Sequence, residues 1–284
     1  MSGAVNAAAG GLSSFWFKIL TSLFMVIDHV GAMFFPEYPI FRVIGRLAFP
    51  LYCWLIVLGF RYTHSPAKYG GRLLLFAFLS QIPYTLMLRQ VMGLPPLHLQ
   101  NQPQAGVFSS LNIFLPVFTS TLNVLFVLSL GLLALSILRA LIRWGQAQKR
   151  VWLGHLLGLA AAGALTVLSG WIHCEYSQLG IPLIVAFYEA FWFQEHGAPP
   201  ILGKTLQIVL PGCAIAWYTL QLCRSAPSQT GLYLIYGAAQ LTAAALTLLY
   251  RGKSGPRSKF LKWFFYVFYP GHILVLLAIL FAVS

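Results

Sequence analysis

The stretch Phe15–Phe35, FWFKILTSLFMVIDHVGAMFF, decides how this chain is read. Its 21 residues, at a helical rise of about 1.5 Å each, are enough to cross about 30 Å of hydrocarbon, yet it carries Asp28 and His29 side by side. Asp28 is the only aspartate among 284 residues. An ionisable side chain inside a membrane helix costs at least about 2.5 to 3.5 kcal/mol on insertion scales, so a partner has to offset it. Lys18, Thr21, Ser22, Met25, Asp28 and His29 recur at three-to-four spacing. The polar members therefore share one side of the helix and face a protein interior, while Phe, Leu and Val residues face lipid.

Working outward, 59% of the residues are hydrophobic and only 8% charged, against roughly 25% charged in an ordinary soluble domain. The expectation is an all-α, polytopic transmembrane helix bundle. Met1–Ser14 reads as a disordered lead, and residues 15–284 as a single transmembrane domain. After Phe35 the string PEYP breaks the helix. Further spans follow at about Arg42–Tyr62, Gly70–Leu88, Thr121–Arg143, Val151–Trp171, Leu179–Phe193, Ile201–Leu222, Gly231–Tyr250 and Phe260–Val283, about nine in all. Residues 89–120 contain the apolar string SLNIFLPVF, too short to cross, and read as a re-entrant or interfacial segment. The four cysteines form no CxxC pair and read as small core residues.

The formal charge of +13 is a matter of membrane orientation and not of nucleic acid, because the cations fall in loops. With the amino terminus inside, all but Arg42, Arg46, Arg89 and Arg224 of the 18 Lys and Arg residues lie toward the inner side, as the positive-inside rule demands. The carboxyl terminus is then outside. Arg42 and Arg46, four residues apart at the outer start of the second span, share a helix face. The short PEYP turn lets an arginine of that span meet Asp28, and Arg46 is the expected partner. A buried ion pair that only fixes packing explains the same residues.

The strings MVIDHVGAMFFPEY, FRVIGRLAFPLYCWLIVLGFRYT and RLLLFAFLSQIPY, followed by LNVLFVLSLGLLAL, EYSQLGIPLIVAFY and KWFFYVFYPGHILVL, resemble in order the TraX family of membrane proteins, named for the F-pilin acetylase. The resemblance implies an acyltransferase in the bacterial cytoplasmic (inner) membrane. It would move acetyl from cytoplasmic acetyl-CoA to an amine or hydroxyl at or beyond the membrane, on an acceptor such as a pilin amino terminus, a glycan or a lipid-linked sugar.

Acyl transfer needs a base for the nucleophile's proton and donors for the developing oxyanion. His29 and His272 are the candidate bases, each near mid-membrane, with Asp28 the third catalytic candidate. Adjacent helical residues diverge by about 100°, so Asp28 is poorly placed to orient His29. Arg46 or His272 is its more natural partner. Arg42, Arg46, Asn123, Glu175 and Tyr269 are candidates for the acceptor side. No glycine-rich phosphate loop, Walker pattern, G-x-S-x-G elbow or metal-ligand spacing is present, and no metal is expected. Acetyl-CoA would be held by scattered inner cations, with Arg61, Lys68, Arg72, Arg139 and Arg143 foremost. A second reading fits the same intramembrane residues: a proton-coupled transporter using an Asp/His/Arg relay.

Overall fold

The computed structural model describes residues 11–94, 117–118, 120–253, 255–256 and 258–283. Residues 1–10 of the expected lead and most of the 89–120 segment lie outside the described residues. The described chain is an all-α polytopic helix bundle. Its helices are α1 (Ser14–Phe34), α2 (Pro39–Gly45), α3 (Ala48–Tyr62), α4 (Pro66–Val91) and α5 (Val124–Ala147). They continue with α6 (Val151–Trp171), α7 (Ser177–Glu195), α8 (Pro200–Ser225), α9 (Thr230–Leu246) and α10 (Lys259–Val283). With α2 and α3 taken as one broken span, Pro39–Tyr62, eight helical segments are long and apolar enough to cross a membrane. The remaining one, α7, is largely enclosed: 11 of its 19 residues are buried, including Glu189.

Helix ends follow local chemistry. Ser65 caps α4, its hydroxyl accepting from the Lys68 amide at 3.3 Å with Pro66 at the first position, which starts the helix four residues before the expected Gly70. Asn123 caps α5, accepting from the Leu125 amide at 3.0 Å. The second span breaks at Arg46 and Leu47, because Pro50 has no amide to bond the Arg46 carbonyl.

Successive helices alternate direction. One end of the bundle gathers the starts of α1 and α10, the α3–α4, α5–α6 and α7–α8 connections and the end of α9, and with them most of the cations; this is the basic end. An isolated bridge, Leu12 to Tyr250, ties the chain leading into α1 to the end of α9 there, and a second, Leu122 to Cys174, ties the opposite end. The core packs around α3 and α7, with Leu51, Trp54, Phe60, Leu179, Ile184 and Phe187 fully enclosed. The four cysteines are free: Cys53 and Cys174 are buried as expected, whereas Cys213 is exposed on the lipid-facing surface of α8.

Candidate active site

The stripe on α1 faces the interior as its spacing requires: Thr21, Ser22 and Met25 are buried between α3 and α10. Tyr52 of α3 lies against two of them, its hydroxyl 3.4 Å from Ser22 Oγ and 3.7 Å from Met25 Sδ. One turn further along α1, Asp28 meets α2. The partner is Arg42, not the expected Arg46: Arg42 Nη1 donates to Asp28 Oδ2 at 2.5 Å and reaches the Asp28 carbonyl at 3.4 Å. The reason is the break after Gly45. Glycines at 31 and 45 let α1 and α2 touch, since a Cβ on Gly45 would overlap the Asp28 carboxylate and one on Gly31 would overlap Phe41. Arg42, one turn from Gly45, shares that contact face. Arg46 lies past it and bonds the Tyr176 hydroxyl, its guanidinium 4.9 Å from the Tyr236 ring. Asp28 Oδ1 is buried with no partner among the described residues.

His29 and His272, alternatives in the sequence, are joined: His29 Nδ1 lies 2.7 Å from His272 Nε2, with the rings 6° from parallel. His272, and not Asp28, is thus the neighbour that orients His29. His272 Nδ1 is 2.9 Å from the Phe268 carbonyl, which only accepts, so that nitrogen carries the proton. In the neutral ring His272 Nε2 is then an acceptor, which puts the His29 proton on Nδ1 and leaves His29 Nε2 with the free lone pair.

A cavity of about 620 Å³ starts at the basic end among Lys18, Arg72 and Lys262 and runs inward to Tyr52 and Tyr269. Tyr269 is one turn from His272, with ring centroids 5.9 Å apart. Of the five cations expected to hold a nucleotide, only Arg72 lines this cavity. Arg61 is tied to Glu195 and stacked on Phe191, and Arg139 lies 4.1 Å from the Phe60 ring. Lys68 and Arg143 are likewise not among its lining residues. Lys18 and Lys262 replace them; the position of Lys18 on the Asp28 stripe was the available signal, whereas Lys262 gave none. Asn123 lines neither this cavity nor the smaller one at the opposite end. It is fully buried, and its amide donates to the Ala77 carbonyl and Gln81 Oε1, both at 2.8 Å, while its oxygen caps α5.

At the opposite end a smaller cavity of about 210 Å³ lies between Arg46, the α6–α7 turn, α8 and α9. Glu175 and Tyr176 of that turn line it, and Tyr176 stands in the left-handed region at φ 53°, its ring stacked on Phe49 at 4.0 Å. Burial pushes the Glu175 carboxyl up to about 7 against the opposing pull of Arg46, and Tyr84 is hydrogen-bonded to it. The sequence reading also passed over Glu189, whose carboxylate lies 2.9 Å from His155 Nδ1 inside the bundle.

A multi-pass membrane bundle with a partly buried Asp–Arg pair beside a hydrogen-bonded pair of histidines is the class of protein that this geometry defines. The chain belongs to the TraX family, whose model, described as TraX protein, matches residues 14–280. It is 28% identical over 271 residues, 93% of this chain and 94% of the other, to a probable fimbrial assembly protein FimC, serogroup H1, of Dichelobacter nodosus. A shorter match, 33% identical over 73 residues and covering 26% of this chain and 27% of the other, is to an uncharacterized protein of Rickettsia prowazekii (strain Madrid E). No solved structure matches.

Proposed function

We propose that this protein is an acyltransferase of the bacterial inner membrane that takes acetyl from cytoplasmic acetyl-CoA, at the basic end, and passes it to a hydroxyl or amine acceptor reaching the site from the other side. The observation that carries the reading is the cavity that leads from Lys18, Arg72 and Lys262 to Tyr269, one turn from His272. Its cations suit nucleotide phosphates and its largely apolar lining suits a pantetheine arm. The acceptor atom attacks the thioester carbonyl while His29 Nε2 takes its proton. His272, held by the Phe268 carbonyl, keeps the His29 ring in place and shares the charge that develops. Tyr52, which lines this cavity and whose hydroxyl has long contacts to Ser22 and Met25, is the donor we assign to the oxyanion. The thiolate leaves with little acid assistance. The relative's description as a fimbrial assembly protein makes a pilin-type acceptor one candidate beside glycans and lipid-linked sugars.

The test is purified protein in liposomes with radiolabelled acetyl-CoA. We expect loss of thioester and transfer of label, with Lys18→Glu, Arg72→Glu and Lys262→Glu raising the KM for acetyl-CoA in protein of unchanged folded yield. Solute flux without any thioester loss would overturn the reading in favour of a carrier.

A further inference from the structure

The smaller cavity has an unusual wall for a membrane bundle. Four of the 13 tyrosines of the chain, Tyr176, Tyr218, Tyr233 and Tyr236, converge on it with Arg46 and Glu175. Thr219 and Gln240 add a hydroxyl and an amide, and Leu222 is the sole aliphatic side chain in the lining. The α8–α9 contact beside it is tight, since a Cβ on Gly237 would come 2.6 Å from Thr219 Oγ1. At about 210 Å³ it is below the roughly 300 Å³ at which pockets for drug-sized ligands begin, so it suits one small ring and not an extended chain.

Its two charged residues are already engaged. The Arg46 guanidinium lies over the Tyr236 ring and bonds Tyr176, which holds it against the wall. Glu175, the one acid of the wall, is bonded by Tyr84 and feels the positive charge of Arg46. The rest of the lining is made of phenol faces and neutral hydrogen-bonding groups, complementary to a ring with apolar C–H faces and hydroxyls on its rim. Arg46 directly follows Gly45, which abuts Asp28, the chain neighbour of His29, so the arginine of this cavity is one residue from the α1–α2 contact that carries the candidate catalytic residues.

We infer that the cavity is the acceptor subsite and takes a single neutral pyranose residue, one of whose hydroxyls is acetylated; this rests on the acyltransferase reading. The sugar oxygen attacks the thioester carbonyl carbon, an ester C–O bond forms and the C–S bond breaks. The hydroxyl proton passes to His29 Nε2 and from there to the departing thiolate.

The experiment uses the full chain in phospholipid nanodiscs. Methyl glucoside and methyl N-acetylglucosaminide are assayed for binding by saturation-transfer NMR and, with acetyl-CoA, for acetylation by mass spectrometry, alongside a short neutral peptide with a free amino end. We expect a glycoside to bind and to gain one acetyl group. Tyr233→Leu or Tyr236→Leu should weaken its binding about tenfold, as loss of a stacking ring does. Should those variants fail to fold, Tyr233→Phe and Gln240→Ala remove single hydrogen-bonding groups, and glycoside binding unchanged in both would overturn the location. Acetylation of the peptide with no glycoside binding would overturn the inference and leave the acyltransferase standing. Tyrosine-dependent glycoside binding without thioester loss would support the sugar pocket and overturn the transferase.

Discussion

His29 and His272 differ in what each ring nitrogen is free to do, and that difference predicts unequal mutants. His29→Gln removes the free lone pair, and we expect acetyl transfer to fall by about 10² to 10⁴. His272→Ala only releases the ring it holds, so a smaller loss and an altered pH–rate profile are expected; full activity in purified His29→Gln would move the base elsewhere. Asp28 is a matter of pairing. Asp28→Asn strands the Arg42 guanidinium, and because the arginine side chain is 29% exposed we expect a destabilisation of about 3 kcal/mol, at the low end for a broken buried pair. Adding Arg42→Leu should restore folded yield, read by size-exclusion chromatography, without restoring activity. At Glu175 the sign is set by burial, which raises the carboxyl from 4.5 to about 7 in the folded protein. The folded state then binds the proton more tightly than the unfolded one. Its stabilising contribution is full below pH 4.5, is lost as pH rises toward 7 and stays lost above it. Thermal melts of wild type should therefore fall over that window more than those of Glu175→Gln.

At the scale of elements, the α1–α2 contact sets the site, and glycine makes that contact possible. A methyl group at position 45 meets the Asp28 carboxylate, whereas one at Gly163 on α6 meets nothing within 4 Å. Gly45→Ala should lower both the melting temperature and transfer activity, while Gly163→Ala is near neutral; equal melting temperatures for the two would show that α2 can shift at no cost. The same contact explains where the reading of the sequence stopped. Spacing placed Asp28 and two arginines on faces that meet. The choice of Arg42 over Arg46 depended on the break that Pro50 imposes and on how closely Gly45 lets the two helices approach, and both are properties of packed helices.

At the scale of the molecule, the alternation of the nine helical segments among the described residues and the cation bias give a topology that fusions can test. A periplasm-active reporter joined after Ser284 should be active and one in the 251–259 loop silent; the reverse pattern would invert the orientation and move the donor cavity to the outer face. Multi-pass membrane character, helical class and the order of the helical segments were determined by the sequence alone, because hydropathy and helical periodicity act within one segment. The tertiary structure decided which groups meet: Arg42 with Asp28, His29 with His272 across 243 positions of chain, Lys18 and Lys262 at one cavity and four tyrosines at the other. Those meetings depend on how closely and at what height helices distant in sequence pack together, and no local pattern encodes that.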